Sequence, residues 1–311
     1  MKIGLLYEPA YWFLLEDLVR RLEHEIRLIG GQGYRLTRAT LNQTDVDLVY
    51  VLPCDEQEAL KQLEAERLVI NSMRAQEIAI DKIATSQLMV ENNLPTPETV
   101  ISQTPDAVVE MLDRYGIALL KSTNRCGGVG HRILRREGGR ITTHRRDQTY
   151  QVAFGECNRL LDQTLVLAPP YYVQQFIGTT AQTNDRVYRM YVVGNRVVMG
   201  TMRVKEGVDT AEKSIINVAT GAHYEFLETL DEEMASLALR LADLIGFEIG
   251  VVDSLRDSSG CPLLIEADCD GCHLFICRKF QEAHGYGTSY NFNAHLVKRL
   301  AEIVEGASYR R

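Results

Sequence analysis

Three acidic side chains in the last quarter of the chain have the spacing of a cation site. Asp253 ends the apolar stretch 249–252, and Glu266 and Asp268 lie on the apolar stretch 263–268. Because side chains alternate along a strand, Glu266 and Asp268 point to the same face. If the two stretches pair antiparallel around a turn at 257–260, Asp253 approaches both. Oxygen ligands of this kind suit Mg²⁺, whereas solvated acids at strand ends are the plainer alternative.

A lysine followed by a glycine-rich segment is a candidate phosphate site. Lys121 ends an apolar stretch, and glycines follow at positions 127, 128 and 130. Glycines let backbone amides approach phosphate oxygens closely. The segment has neither the Walker A order nor the GxGxxG order, so both of those phosphate-binding motifs are disfavoured. An ordinary hairpin loop is the alternative.

Two arginines lie on a predicted hairpin that turns at residues 194–195. Arg189 is on its first strand and Arg203 ends its second strand. The guanidinium group presents a rigid fork of donors that matches phosphate or carboxylate. The alternative is a pair of surface salt bridges.

The remaining metal-like patterns are weak. Cys269, Cys272 and His273 match the haem attachment pattern in form, and Cys277 follows. No export signal accompanies them and no further ligand pair completes a zinc site, so we expect a small-residue loop. The histidines show no metal-ligand spacing, namely His24, His131, His144, His223, His284 and His295.

Strand and helix patterns alternate through the first 73 residues. The predicted strands are 2–7, 46–52 and 68–71, and the predicted helices are 12–29 and 56–65. This alternation predicts a parallel sheet with helices on its faces. A helix over 75–92 and an extended linker containing Pro95 and Pro97 then lead into the second part.

Residues 74–311 mix helices with antiparallel strands. The predicted helices are 105–115, 230–245 and 291–304, and the predicted strands are 117–121, 131–135, 171–177, 187–193, 196–203, 248–253 and 262–267. We therefore expect an α/β domain over 1–73 and an α+β domain over 74–311.

Composition restricts the class of protein. The chain has 311 residues, 45% of them hydrophobic, and a formal net charge of −8. An acidic chain has no electrostatic reason to bind nucleic acid, and no apolar run is long enough to cross a membrane. The N-terminal residues predict a first strand and lack a cleavage pattern, and seven scattered cysteines fit reduced thiols. We expect a cytoplasmic protein.

The order of these patterns resembles the ATP-grasp superfamily, and in particular its RimK-type glutamate ligases. The resemblance covers residues 70–305 and implies an ATP-grasp fold with an N-terminal pre-ATP-grasp domain and a lid subdomain over about 98–172. It departs from the family at Asp268, where asparagine is usual, at Gln175, where glutamate is usual, and at Ile215, where a basic residue is expected.

The resemblance also implies roles for individual residues. Lys82 and Lys121 would pair the α- and β-phosphates of ATP, and Asp253, Glu266 and Asp268 would hold Mg²⁺, with Mn²⁺ as an alternative. Arg203, Asn217 and Arg189 match the family's catalytic positions. The other nucleotide-binding positions would be Gly128 and Gly130 in the phosphate loop and Gln174, Gln175, Phe176 and Ile177 in the hinge that holds adenine.

The function implied by the resemblance is ATP-dependent ligation of a carboxylate to an amine through an acyl phosphate. The donor would be an amino acid such as glutamate, and the acceptor a small amine, a cofactor precursor or a peptide. Nucleic acid and membrane partners are not expected, and a homo-oligomer is left open. The rival interpretation is a non-catalytic module that binds ATP as a switch or structural ligand.

Overall fold

The structure is a computed structural model, and it describes most of the chain. The described residues are 1–8, 15–53, 57–122, 131–145, 148–164, 169–178, 186–207, 215–216, 221–269 and 291–308. Among them, no helix combines the length and apolar character needed to span a membrane.

The N-terminal part is a four-stranded parallel sheet, as predicted. Its strands are β1 (Lys2–Leu6), β2 (Gln32–Leu36), β3 (Leu48–Val51) and β4 (Leu68–Ile70), and their order is β2-β1-β3-β4. Helices α1 (Leu15–Leu28) and α2 (Gln57–Glu64) flank it. Leu18, Leu22 and Ile26 recur on one face of α1 and are buried, which is the amphipathic pattern that the sequence predicts. The edge strand β2 is not predicted from sequence, because polar and small residues fill most of it.

The stretch 75–92 is helical, as predicted, and it is divided into two helices. Helix α3 (Met73–Ile80) starts after Ser72, whose side chain accepts the Ala75 N–H, and helix α4 (Lys82–Glu91) follows Asp81. The Asp81 carboxylate accepts the N–H groups of Ile83 (2.8 Å) and Ala84 (3.2 Å). Asp81 is thus the N-cap of a new helix, and its extended backbone interrupts the old one.

An antiparallel sheet of six strands follows the proline linker. Its strands are β5 (Thr99–Ser102), β6 (Ile117–Lys121), β7 (Arg132–Glu137), β8 (Arg140–Arg145), β9 (Gln148–Ala153) and β10 (Tyr171–Gln175), in the order β5-β10-β6-β7-β8-β9. Helix α5 (Asp106–Tyr115) packs its apolar side on one face of this sheet. Two short helical turns, Phe154–Glu156 and Arg159–Thr164, complete the layer. We call β5–β10 the lid sheet.

A second antiparallel sheet carries the acidic residues. Its strands are β11 (Arg186–Val193), β12 (Arg196–Val204), β13 (His223–Phe226), β14 (Ile249–Arg256) and β15 (Pro262–Asp268), in the order β13-β12-β11-β14-β15. We call these five strands the central sheet. The predicted hairpin turn is confirmed, with Gly194 at φ +58°, a conformation that favours glycine. The predicted antiparallel pairing of β14 with β15 is also confirmed.

The two faces of the central sheet are buried by different helices. Helix α6 (Glu232–Ile245) packs with Met190, Val192 and Val252 on one face. On the other face, Tyr191 and Val251 share a core with helix α7 (Phe292–Ser308), α1 and the N-terminal sheet. The N-terminal part is therefore joined to the central sheet by a continuous apolar core.

Candidate functional site

A cleft lies between the lid sheet and the central sheet, and it holds about 820 Å³ of empty space, open solvent included. Strands β6, β7 and β10 supply one wall and strands β11, β12, β14 and β15 supply the other. The described lining residues are Pro97, Leu119, Lys121, His131, Ile133, Gln174, Gln175, Phe176, Ile177, Val187, Arg203, Ile215, Ile216, Asp253, Leu255, Ile265 and Glu266.

One part of the cleft is apolar on both walls. On the lid side, Ile133 and Phe176 pack together with Leu119. On the central side, Val187 and Ile216 form a second small cluster. A slot with two apolar walls suits a flat aromatic ring such as a nucleobase.

The predicted hinge residues lie at the end of β10, beside this slot. The Gln174 side chain is buried and its amide donates to the Thr99 hydroxyl (2.9 Å). The Gln175 N–H donates to the carbonyl of Glu98 (2.7 Å), which fastens the hinge to the linker. Phe176 and Ile177 follow directly after the strand and line the cleft, and their contact with adenine stays a prediction.

Positive charge gathers at the other end of the lid wall. Lys121 is buried, and its ammonium lies 5.3 Å from the centre of the Tyr172 ring. Lys82, at the start of α4, acts electrostatically on His131 together with Lys121. The two lysines predicted to meet phosphate therefore both lie near one residue of the cleft wall.

On the central sheet, Asp253 is held by two buried arginines. Arg189 donates from Nε to Oδ1 (2.6 Å) and from Nη2 to Oδ2 (2.8 Å), and Arg203 also donates to Oδ2. Such forked, charge-assisted bonds are the strong class of hydrogen bond. The arginines do not form the surface salt bridges considered as their alternative, because Arg189, Arg203 and Asp253 are all at least 90% buried.

This pairing sets the charge states. Burial alone raises the pKa of Asp253, but the positive charges of Arg189 and Arg203 outweigh it and hold that pKa well below its ordinary value. Burial likewise lowers the pKa of Arg189, and the Asp253 charge more than reverses that effect. The Nε group of Arg203 is buried without a hydrogen-bond partner among the described residues. It is therefore a donor that a ligand oxygen in the cleft would satisfy.

The three candidate metal ligands occupy two adjacent rows of the central sheet. A row here means the residues that lie opposite one another on neighbouring strands and point to the same face. Asp253 lies directly opposite Glu266, and both line the cleft. Asp268 lies opposite Val251, one row closer to the core shared with the N-terminal sheet. A Cβ atom on Gly250 would lie only 2.7 Å from the Asp268 carbonyl oxygen, so glycine permits this close pairing of β14 with β15.

The residues present fit Mg²⁺ in a limited way. Within the described ranges, no three His, Cys, Asp or Glu side chains gather closely enough to hold a metal by themselves. Mg²⁺ is usually bound by one or two carboxylates together with waters and substrate phosphates, which is what Asp253 and Glu266 could provide. Asp268 extends the acidic edge by one row.

Several predicted positions lie outside the described residues. They are Gly128 and Gly130 of the phosphate loop, Asn217, and Cys272, His273 and Cys277 after the acidic strand. Their roles stay predictions. Cys269 is described and buried, and its carbonyl accepts a hydrogen bond from Asn71 (2.9 Å).

Two residues of this region were not singled out by sequence as site residues. His131 lines the cleft beside Lys121, and extending the pairing of Leu120 with Arg132 by one residue would have placed them opposite each other. Asn71 is 1% exposed, and its side chain makes four hydrogen bonds to the backbone of residues 248, 249 and 269. The role of Asn71 depends on a contact between segments that are distant in sequence, so no local pattern reveals it.

Curated relatives of known name match between 55% and 67% of the chain. A tetrahydromethanopterin:alpha-L-glutamate ligase of Methanocaldococcus jannaschii is 26% identical over 207 residues, 67% of this chain and 64% of that protein. An alpha-aminoadipate–LysW ligase of Saccharolobus solfataricus is 26% identical over 172 residues, 55% of this chain and 54% of that protein. The chain thus spans less than two thirds of the length of these relatives.

Solved structures match nearly the whole chain. The ATP-grasp ligase PsnB, complexed with a precursor variant, Mg and ADP, has a TM-score of 0.62 at 16% identity and covers 97% of this chain and 98% of its own. The macrocyclase MdnC from Microcystis aeruginosa has a TM-score of 0.64 at 13% identity and covers 97% and 100%. At such identities the likeness shows the fold alone, and that fold is ATP-grasp.

The predicted resemblance is confirmed by a family model. The RimK-like ATP-grasp domain matches residues 79–275, which is more than half of the chain and includes β5 to β15. The cleft between the lid sheet and the central sheet lies within this match. The chain therefore belongs to the RimK-like ATP-grasp family.

Proposed function

We propose that this protein is an ATP-dependent ligase that joins a carboxylate to an amine and releases ADP and phosphate. One observation carries the proposal. A single cleft combines an apolar slot on Leu119, Ile133 and Phe176 with a charged end formed by Lys121, Arg203 and the Asp253–Glu266 pair. A nucleobase fits the first part and a polyphosphate with its metal fits the second.

The chemistry needs charge neutralisation and positioning. A carboxylate is a poor acyl donor because its oxygen is a poor leaving group. Its oxygen attacks the γ-phosphorus of ATP, ADP departs, and an acyl phosphate results. The amine nitrogen then attacks the acyl carbon, phosphate leaves, and the nitrogen gives up a proton to form the amide.

The residues of the cleft would divide this work. Lys82 and Lys121 would neutralise the α- and β-phosphates. The Nε–H of Arg203, which has no partner among the residues that the structure describes, would donate to the transferred phosphoryl group. Arg189 would hold the Asp253 carboxylate in place, and that carboxylate in turn positions Arg203. Asp253 and Glu266, with Asp268 beside them, would bind Mg²⁺, which supplies charge neutralisation when it is present. Asn217, Gly128 and Gly130 keep the roles that the family resemblance gives them.

The relatives support an amino-acid substrate. Two of the names among them are glutamate ligase and alpha-aminoadipate–LysW ligase, and several structural neighbours were solved with peptide precursors. We infer that the donor is an amino acid such as glutamate, and that the acceptor is a small amine, a cofactor precursor or a peptide. A reaction that consumes ATP also fits the cytoplasmic location expected from the sequence.

A coupled ADP-release assay tests the proposal. The protein would be incubated with MgATP and a matrix of amino acids and amines, and mass spectrometry would follow the products. We expect ADP release that depends on both substrates, with a product mass equal to their sum less one water. Binding of MgATP without ADP release in any combination would favour the non-catalytic ATP-binding module.

A further inference from the structure

His131 occupies a defined place on the lid wall of the cleft. Leu119 pairs with Ile133 and Leu120 with Arg132. Continued by one residue, this register sets Lys121 opposite His131, which directly precedes β7, and both residues line the cleft. Residues that are directly opposite in such a pair point to the same face of the sheet. The Leu119–Ile133 row forms the apolar slot, and the Lys121–His131 row follows it by two residues, or about 6.6 Å.

The hydrogen bonding of His131 fixes its tautomer. The backbone N–H of Ser122 donates to Nδ1 of the ring at 3.2 Å. An Nδ1 atom that accepts a hydrogen bond has no proton, so a neutral ring has its proton on Nε2. The ring therefore offers one N–H donor from the edge opposite the Ser122 contact.

The surroundings keep this ring neutral. Burial, assisted by the positive charges of Lys121, Lys82 and Arg132, lowers the pKa of His131 to about 3. Among the other charged groups that line the described cleft are Arg203, Asp253 and Glu266 on the central sheet. At neutral pH the ring is thus an uncharged donor inside a cationic site.

We propose that His131 binds the nucleotide by donating its Nε2–H to the phosphate next to the ribose, in the same row as Lys121. This rests on the proposed function, because it requires that the cleft take a nucleotide with its base in the apolar slot. A neutral donor adds a directional bond without increasing the repulsion among the neighbouring cations. His131 would therefore set the position of the first phosphate, while Lys121 and Lys82 neutralise the charge.

Two substitutions separate this role from a purely structural one. In His131→Asn, the side-chain oxygen can take the place of Nδ1 and keep the Ser122 contact, but the Nε2 donor is gone. In His131→Gln, the amide nitrogen can reach the place of Nε2, but the acceptor for Ser122 is lost. The pair is matched because both side chains are neutral amides.

The experiment is calorimetric titration of the full chain with MgADP. We expect His131→Asn to weaken binding about tenfold or more, the usual cost of losing a hydrogen bond to a charged group, and His131→Gln to stay close to the unsubstituted protein. Unchanged affinity in His131→Asn would overturn the proposal, and so would a loss in His131→Gln equal to or larger than that in His131→Asn. The ring would then have only the structural role of holding residues 122 and 131 together. Absence of MgADP binding by the unsubstituted protein would instead overturn the proposed function, and this inference with it.

A second titration identifies the group that is contacted. Adenosine has the base and ribose but no phosphate, so we expect the unsubstituted protein and His131→Asn to bind it equally in competition with a fluorescent nucleotide. An equal loss for adenosine and ADP would overturn the phosphate contact. Matching urea midpoints for the unsubstituted protein and His131→Asn would show that altered folding does not cause the difference.

Discussion

At the scale of single residues, the arginine pair around Asp253 gives the cleft both stability and chemistry. Two guanidinium groups that share one buried carboxylate are positioned by it, and each loses its counter-charge if that carboxylate is removed. Removing one member of a buried ion pair lowers the free energy of unfolding far more than removing one member of an exposed pair does. The reason is that the remaining partner stays buried and unpaired. Asp253 therefore supports the site even before any ligand binds.

The Asp253→Asn substitution should lower the free energy of unfolding by about 3–5 kcal/mol at pH 7. The pKa of Asp253 in the folded protein lies below its ordinary 3.8, so its stabilising contribution is present above that pH and is lost as pH falls toward the folded value. Urea unfolding should show a constant gap between the two proteins from pH 8 to pH 5, and a smaller gap well below pH 4.

The matched control is Asp45→Asn. Asp45 pairs with Lys2 at 2.7 Å, but its side chain is 90% exposed. Exposed pairs contribute little, so its urea midpoint should stay near that of the unsubstituted protein. A loss of stability in Asp45→Asn as large as in Asp253→Asn would contradict the argument from burial.

Glu266 should matter for turnover and not for folding. It lines the cleft opposite Asp253, and Glu266→Gln keeps its size while removing one negative charge from the proposed metal site. We expect ADP release to fall on the order of a hundredfold, with an unchanged urea midpoint. Glu66→Gln, at an exposed position, should keep full activity. Normal turnover of Glu266→Gln in excess magnesium would remove Glu266 from the metal site.

At the scale of elements, the break between α3 and α4 places a functional lysine. Asp81 caps the new helix, so Lys82 becomes its first residue and comes within electrostatic range of His131. In a continuous helix without the break at Asp81, Lys82 would lie in a different position. The cap thus connects a local backbone choice to the charge of the cleft.

Replacing this cap gives an element-scale prediction. Asp81→Ala leaves the N–H groups of Ile83 and Ala84 without their side-chain acceptor and should cost about 1 kcal/mol in urea unfolding. It should also weaken MgADP binding, because Lys82 loses its fixed position. Asp81→Asn, which keeps an N-cap oxygen, should restore both properties. Equal behaviour of the two variants would show that the cap does not position Lys82.

The elements also show what sequence patterns can and cannot predict. Strands with continuous apolar runs, such as β3 and β14, were predictable because both of their faces are buried. Strands β2, β9 and β13 were not, since each lies at the edge of its sheet and exposes much of its polar surface. The Asp253–Arg189–Arg203 group needs three strands in register, and no local pattern specifies that register.

At the scale of the whole molecule, the N-terminal part and the acidic edge of the central sheet are tied through one side chain. Asn71 follows β4, and its amide donates to the carbonyls of Ile249 (2.7 Å) and Cys269 (2.9 Å). Its oxygen accepts the N–H groups of Glu248 (2.8 Å) and Ile249 (3.0 Å). It therefore joins β4 to the start of β14 and the end of β15, directly after Asp268.

Substitution of Asn71 tests whether this contact sets the relation between the two parts. Asn71→Asp keeps the acceptor for two N–H groups but turns a carboxylate toward two carbonyl oxygens, and Asn71→Ala removes all four bonds. Because an unsatisfied buried polar group costs about 1–3 kcal/mol, both should unfold at much lower urea than the unsubstituted protein. Asn92→Ala, which loses one bond at an exposed helix end, should unfold nearly as the unsubstituted protein does. If Asn71→Asp matched that control, the two carbonyls would not depend on the amide, and the apolar core shared by α1, α7 and the central sheet would hold the parts together by itself.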